Sequence, residues 1–217
     1  ATIEPNVGVV NLPDERLDTL AEIFSSERIL PATVSFVDIA GIVKGASEGE
    51  GLGNQFLSNI READAIAQVV RVFSDPDVVH VDGQVDPRAD METINTEMIL
   101  ADLQTLEKAI TRYEKEVKGK KLEPSVLAAA EEAKALLDTG KTLFQAQFDA
   151  SEIAELGLLT AKPFLYVFTV DEATLADPAQ QAELAGLVAP AKAVSLHAKV
   201  ARELIALDTA EATALPP

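Results

Sequence analysis

The sequence predicts an α/β protein in which a doubly wound sheet carries an inserted antiparallel α-helical coiled-coil arm. Short apolar stretches typical of strands alternate with amphipathic helical stretches, which is the pattern of a doubly wound sheet. Between two of these strands, apolar residues recur at steps of three and four on both sides of a glycine turn. That second pattern predicts two packed helices.

The first part of the chain contains three predicted strands and two predicted helices. The strands cover 7–12, 33–37 and 65–73, and the helices cover 15–24 and 52 to about 63. Leu17, Leu20 and Phe24 lie on one face of the first helix, and Asp14 is its predicted cap. The stretch 65–73 is mostly apolar, as in strands covered on both faces.

The arm is predicted from two apolar seams. The seams consist of Ile99, Leu103, Leu106, Ile110, Tyr113 and Val117, and of Leu122, Val126, Ala129, Ala133 and Leu136. The alanines of the second seam favour close approach of the helices. A first helix of about 24 residues would reach roughly 36 Å at 1.5 Å per residue.

The strand pattern returns after the arm. Strands are predicted at 162–170 and 193–196, and helices at 178–187 and from 198 to about 207. The predicted organisation is one α/β domain from 1–85 and 151–207, an arm from 86–150, and a tail or linker from 208–217.

Composition limits the partners of the chain. Its 217 residues carry a net charge of −18, so the surface as a whole repels nucleic acid and anionic membranes. We expect no membrane and no DNA partner, and contact with RNA would need a local basic patch. The absence of cysteine excludes disulfides and thiolate catalysis and is consistent with a cytoplasmic protein.

A glycine-rich stretch follows the strand predicted at 33–37. This strand ends at Asp38, and five glycines lie within the thirteen positions 41–53. Asp38 and Gly41 form the pattern D-x-x-G, in which the acid holds Mg²⁺ through water and the glycine amide meets a γ-phosphate. An acid at the end of a buried strand suits such a site. The alternative is a flexible surface connection.

Several segments are distinctive as sequences. They are ATIEPNVGVV at the start, VDIAGIVKGASEGEGLGNQFL from Val37, IREADAI from Ile60, and then DPDVVHV, ETINTE and ADLQTLEK. Together they resemble the Obg-like ATPase (YchF-type) family of translation-factor-related P-loop NTPases. The resemblance implies a P-loop G domain with an inserted coiled coil and a later TGS domain. It also implies Mg²⁺-dependent ATP binding and hydrolysis, weaker use of GTP, and an association with ribosomes.

The resemblance assigns roles around the glycine-rich stretch. Thr2 and Asp38 match Mg²⁺ ligands, and Gly41 matches the γ-phosphate contact. Ile42 stands where Ras-like GTPases place a water-orienting glutamine, and an isoleucine cannot hydrogen-bond a water, so slow hydrolysis is expected. The remaining switch residues are Gly45, Gly49, Gly51 and Gly53.

His80 matches a histidine that the family carries in DPDVVHV, and it is the candidate catalytic residue. The alternative for His80 is a histidine packed at a strand end. In either case, another group or a partner is expected to complete the site, because Ile42 cannot position the attacking water.

The resemblance also places two base-recognition loops. Thr169, Val170 and Glu172 match the relaxed N-x-x-E motif, with threonine in place of asparagine. His197, Ala198 and Lys199 match an S-A-K-like loop, with histidine in place of a small residue. We expect adenine to be preferred over guanine, although threonine lacks the paired donor and acceptor of a carboxamide.

The phosphate-binding loop G-x-x-x-x-G-K-[ST] does not occur in the 217 residues. In the family this loop lies just upstream of the position of Ala1, after the central strand. We therefore expect an N-terminal segment before Ala1 and the TGS domain after the tail. A sheet without its central strand would leave two neighbours unpaired.

The turn of the arm is locally basic. Residues 108–121 contain six positive charges and two negative ones, which gives a local +4. The positive residues are Lys108, Arg112, Lys115, Lys118, Lys120 and Lys121. One hypothesis is therefore a nucleotide-dependent ATPase switch, and the other is a ribosome- or RNA-binding module in which the tip makes the contact. A merely solvated hairpin is the alternative for the tip.

Overall fold

The structure is a computed structural model that describes residues 6–39, 52–73 and 85–197. The strands in these ranges are β1 (Asn6–Asn11), β2 (Thr33–Asp38), β3 (Ile66–Arg71), β4 (Phe164–Thr169) and β5 (Lys192–Leu196). The helices are α1 (Glu15–Phe24), α2 (Leu52–Glu62), α3 (Pro87–Lys118), α4 (Pro124–Leu137), α5 (Glu172–Leu175) and α6 (Pro178–Leu187). Two 3₁₀ turns cover Ser151–Leu156 and Leu159–Ala161. No helix in the described ranges is long and apolar enough to cross a membrane.

The chain divides into two compact units, residues 1–43 and 44–217. In the first unit β1 and β2 pair antiparallel, with Val7 opposite Val37. α1 connects the two strands and begins at its predicted cap, because the Asp14 carboxylate accepts a hydrogen bond of 3.1 Å from the Arg16 N–H. The strand, helix and second strand predicted for this part are therefore present.

The prediction of a buried strand before the glycine-rich stretch is wrong. Val34, Phe36 and Val37 of β2 are 43%, 55% and 41% exposed. Among the described residues β2 pairs with β1 alone, and every residue of α1 is exposed or half-buried. Two strands with one helix bury too little apolar surface to enclose a strand. The apolar pattern indicates a strand but does not reveal what covers it.

The second unit contains a parallel sheet in the order β3–β4–β5. Ile66 lies opposite Phe164, and Val167 lies opposite Val194. The connection from β3 to β4 contains α3 and α4, whereas α5 and α6 connect β4 to β5. The helical arm is therefore inserted between two adjacent parallel strands, as the sequence predicts.

One face of the parallel sheet is better covered than the other. Phe164, Tyr166 and Phe168 alternate along β4 and are buried, with neighbouring ring centroids 6.0 and 6.4 Å apart. On β3, Val70 is buried but Val69 is 67% exposed. The prediction that this strand is covered on both faces is wrong, because a continuous apolar run does not distinguish one covered face from two.

α3 and α4 form the predicted helical hairpin. Its apolar core includes Leu106 and Tyr113 from α3 and Ala130 and Ala133 from α4. Both alanines are fully buried, so the two backbones approach closely. α3 has 32 residues, about 48 Å at 1.5 Å per residue. The predicted length was too short because the early turns, with Met91 buried, lie outside the heptad seam.

A buried carboxylate ties α3 to the segment that leads into β4. Asp102 is fully buried and accepts hydrogen bonds from the Leu159 N–H at 2.9 Å, the Thr160 N–H at 2.8 Å and the Thr160 hydroxyl at 2.7 Å. A carboxylate away from water is tolerated when its oxygens are hydrogen-bonded in this way. These bonds fix the base of the arm to the start of β4.

Replacing Asp102 by alanine should strongly destabilise the protein. Three donors would lose their acceptor in a dry environment, and we expect the free energy of unfolding to fall by about 3 kcal/mol. Urea unfolding followed by circular dichroism measures this loss. Glu114→Ala, at an exposed position of the same helix, should change stability by no more than about 0.5 kcal/mol. Equal effects of the two substitutions would contradict the stabilising role of the Asp102 carboxylate.

The charge of Asp102 can be tested with Asp102→Asn, which does not titrate. Burial raises the pKa of the Asp102 carboxyl above its ordinary value, although the hydrogen bonds from Thr160 and Leu159 act in the opposite direction. The stability linked to this raised pKa is present below the ordinary pKa and is lost as pH rises through the raised one. The unfolding free energy of wild type minus that of Asp102→Asn should therefore fall with pH, by at most about 1.4 kcal/mol per pH unit. A difference in unfolding free energy that instead rises with pH would contradict a raised pKa of Asp102.

Candidate functional site

The carboxyl ends of the three parallel strands form one edge of the sheet. β3, β4 and β5 end at Arg71, Thr169 and Leu196. In open α/β sheets, ligands bind outside this edge, in the loops that follow the strands. Both predicted base-recognition loops, at 169–172 and 197–199, begin here. The topology therefore brings together two loops that are 25 residues or more apart in sequence.

Backbone hydrogen bonds continue beyond the regular pairing and hold the loop after β4. The Thr169 carbonyl accepts from the Val72 N–H at 2.9 Å, and the Val170 N–H donates to the Leu196 carbonyl at 3.0 Å. Val170 itself is buried. The loop that follows β4 is thus held on both sides, by the residue after β3 and by the last residue of β5.

The Thr169 hydroxyl is used within the sheet. It donates to the Val70 carbonyl at 3.3 Å in a half-buried position. A hydroxyl that donates once keeps its acceptor capacity. Thr169 therefore offers a single hydroxyl, already engaged as a donor, where the N-x-x-E motif has the separate donor and acceptor of a carboxamide.

Asp171 and Glu172 are adjacent acids with different environments. Asp171 caps α5, and its carboxylate accepts a hydrogen bond of 2.8 Å from the Thr174 N–H. The pKa of Asp171 is lowered by this bond, by a side-chain bond with Thr174 and, to a smaller extent, by the charge of His197. Glu172 is the first residue of α5 and is exposed. Both carboxylates are therefore exposed, and Asp171 is the one that is engaged as a helix cap.

His197 directly follows β5 and is half-buried. The two base-recognition loops are linked next to it by the hydrogen bond from the Val170 N–H to the Leu196 carbonyl, and the charge of His197 contributes a little to the lowered pKa of Asp171. Ala198 and Lys199 lie outside the described residues. The structure therefore brings Thr169, Val170, Glu172 and His197 to one edge.

The predicted phosphate and metal residues are only partly described. Asp38 is the last residue of β2, lies opposite Asn6 and is exposed. Gly53 is the second residue of α2. The other predicted residues of this group lie outside the described residues. They are Thr2, Gly41, Ile42, Gly45, Gly49, Gly51 and His80.

The basic residues of the arm have two kinds of environment. Lys115, Lys118, Lys120 and Lys121 are exposed near the turn between α3 and α4. Arg112 instead forms an ion pair of 2.9 Å with Glu155, whose carboxylate also accepts a hydrogen bond of 2.7 Å from the Tyr113 hydroxyl. Sequence reasoning missed this pairing, because Glu155 lies 43 residues from Arg112 and no short-range pattern links them.

Known proteins are similar to this chain in sequence and in fold. Residues 1–100 match a family model described as 50S ribosome-binding GTPase. The ribosome-binding ATPase YchF of Haemophilus influenzae is 51% identical over 175 residues, which are 79% of this chain and 48% of that protein. The protein of the same name from Bacillus subtilis is 49% identical over 184 residues, 82% of this chain and 50% of that protein.

A solved structure extends the likeness over nearly the whole chain. The YchF GTPase of Schizosaccharomyces pombe superposes with a TM-score of 0.74 at 33% sequence identity, covering 98% of this chain and 61% of that one. The chain belongs to the YchF-type, Obg-like family. The predicted family and the predicted fold, a P-loop NTPase α/β domain with a long helical arm, are therefore confirmed. The chain spans about half the length of the curated YchF relatives that it matches.

The roles of the two adjacent acids can be separated by stability measurements. Asp171→Ala removes the cap of α5 and should lower the free energy of unfolding by about 1 kcal/mol, whereas Asp171→Ser should restore most of it because serine also caps helices. Glu172→Ala should change stability by no more than about 0.5 kcal/mol. Thermal unfolding of the three variants measures these differences. A larger loss for Glu172→Ala than for Asp171→Ala would overturn the assignment.

Proposed function

We propose that the protein is a cytoplasmic, Mg²⁺-dependent nucleotide switch that hydrolyses ATP slowly, prefers ATP over GTP and acts in association with ribosomes. The observation that carries the proposal is the sheet edge to which the topology brings the exposed Glu172 and the half-buried His197, while Asp171 is engaged as a helix cap. The names of the YchF relatives, ribosome-binding ATPases, support the reaction and the partner.

The edge supplies groups suited to a nucleobase. The Glu172 carboxylate accepts hydrogen bonds, and in this proposal it accepts them from a base amino group. Val170, two positions before Glu172, is a buried apolar residue, and His197, Ala198 and Lys199 are the proposed base contacts of the second loop. Thr169 is held by Val70 and does not offer the carboxamide that pairs with guanine. This difference favours adenine in the proposal.

Asp38 is the proposed metal residue. Within the described ranges, no group of three or more acidic or histidine side chains could hold a metal ion by itself. Mg²⁺ commonly uses one or two carboxylates together with waters and substrate phosphates. The exposed Asp38 carboxylate at the end of β2 suits a metal of this kind, which arrives with the nucleotide. Thr2 would add a hydroxyl oxygen, and bound Mg²⁺ would neutralise phosphate charge.

The remaining switch residues complete the proposal. Gly41 would sense the γ-phosphate, and the glycines from Gly45 to Gly53 would pass the change on to α2, which begins at Leu52. Ile42 cannot orient water, which accounts for slow hydrolysis. His80 is the proposed catalytic histidine.

Glu172→Ala should weaken ATP binding about tenfold, equivalent to roughly 1.4 kcal/mol. Isothermal calorimetry of the full-length protein with ATP and GTP, with Mg²⁺ and with EDTA, measures the affinities. Wild type should bind ATP more tightly than GTP, and Asp38→Ala should abolish the gain in affinity that Mg²⁺ provides.

Glu183→Ala is the matched control, because it removes an exposed acid from α6, and it should leave both affinities unchanged. Equal affinities of wild type for ATP and GTP would refute the adenine preference. An unchanged Mg²⁺ effect in Asp38→Ala would refute the metal role.

A second candidate function is a ribosome- or RNA-binding module, in which the arm makes the contact and nucleotide only sets the conformation. It is favoured by the exposed lysines Lys115, Lys118, Lys120 and Lys121 on a protein of net charge −18. Arg112 belongs to the same basic segment, but its ion pair with Glu155 reduces its contribution to a contact with phosphates.

Changing Lys118, Lys120 and Lys121 together to glutamate should weaken ribosome binding about tenfold or more, because phosphate contacts are replaced by repulsion. Co-sedimentation with ribosomes at two salt concentrations measures this loss. The control changes the exposed cations Arg88, Lys141 and Lys192 to glutamate, which alters the net charge by the same amount. If both triple variants lose binding equally, the contact is not at the tip.

A further inference from the structure

The short segment 159–162 is the meeting point of two helices that are far apart in sequence. It contains the 3₁₀ turn Leu159–Ala161 and the first residue after it, Lys162. One side of the segment contacts α2 and the other contacts α3. Only a few residues separate the two sets of contacts, so the segment is a short covalent link between them.

Lys162 holds the end of α2. Its ammonium group donates hydrogen bonds to the Arg61 carbonyl at 3.0 Å and to the Ala63 carbonyl at 2.6 Å. The last carbonyls of a helix have no partner within the helix, and a cation there also interacts favourably with the helix dipole. Lys162 is therefore a specific anchor for the carboxyl end of α2, formed across about 100 residues of sequence.

Asp102 holds α3 on the other side of the segment, through the Leu159 and Thr160 N–H groups and the Thr160 hydroxyl. A direct bridge runs in parallel, since the Arg61 guanidinium donates to the Thr105 hydroxyl at 3.4 Å. Burial still raises the pKa of the Asp102 carboxyl, and the charge of Arg61 is the smallest of the effects that oppose this rise. The end of α2 thus reaches α3 along two routes.

We propose that Lys162 and Asp102 are positioning residues that couple the position of α2 to the arm. α2 follows the glycine-rich stretch in sequence, and α3 carries the exposed lysines at its far end. A change in α2 between nucleotide states would pull on Lys162, shift the segment 159–162 and tilt the base of α3. This inference rests on the proposed function, since it needs both nucleotide binding and ribosome binding.

A coupling of this kind has a thermodynamic signature. Each ligand changes the affinity of the other by the same factor, and a typical factor is about tenfold. If the contacts of the segment 159–162 with α2 are lost, each ligand should still bind. Only the effect of one ligand on the affinity of the other should disappear. That outcome distinguishes a positioning role from a simple loss of stability, which would weaken both.

The experiment measures ribosome affinity of the full-length protein with a non-hydrolysable ATP analogue and with ADP. Wild type should show a ratio of about ten between the two affinities, and Lys162→Met should bring the ratio close to one. Lys162→Arg keeps a cationic donor and should restore part of the ratio. Lys141→Met, an exposed lysine after α4, should leave the ratio unchanged. Thr105→Val is the second test variant, in case Lys162→Met folds poorly, and should lower the ratio.

Hydrogen exchange supplies an independent readout. The amides of Leu159 and Thr160 are the donors to Asp102, so their exchange rates should differ between the two nucleotide states. Unchanged rates, or an unchanged affinity ratio in both Lys162→Met and Thr105→Val, would overturn the coupling while leaving nucleotide and ribosome binding intact. A wild type that binds no nucleotide would instead overturn the proposed function, and the coupling with it.

Discussion

The three hydrogen bonds to the buried Asp102 carboxylate are the interaction on which the second unit depends. They determine where β4 begins, and β4 is the central strand of the parallel sheet. Because β4 has only six residues, the position of its start also determines where Thr169 and the following loop lie. A group at the base of the arm therefore helps to place the base-recognition edge at the other end of the strand.

Local order was predictable from the sequence because it depends on nearby residues. The bounds of α1 and α6 agree with the periodicity of their apolar residues, and the two helices of the arm follow from their seams. Long-range contacts were not predictable in this way. No spacing rule connects Asp102 with Thr160, and the four-residue helix α5 is too short to show a period. Whether β2 is covered likewise depends on other segments and not on its own residues.

The candidate site also combines features that the sequence predicts with contacts that only the structure shows. Resemblance aligned Glu172 with the acid of the base-recognition motif, and the structure adds that its neighbour Asp171 is engaged as a helix cap. Asp171 is the same type of residue one position earlier, and the Thr174 N–H engages its carboxylate. Of two adjacent exposed carboxylates, Asp171 therefore has an evident role in capping α5. Nothing in the sequence alone distinguishes the roles of Asp171 and Glu172.

The charges of the arm are separated along its length. The first part of α3, residues 87–107, carries five acids and one arginine, whereas residues 108–121 carry six positive charges and two negative ones. Charges interact over about 8 Å in physiological salt, so the two groups of charges, far apart on a helix of 32 residues, hardly neutralise each other. The arm is therefore an electric dipole, negative over the first turns of α3 and positive near the turn to α4.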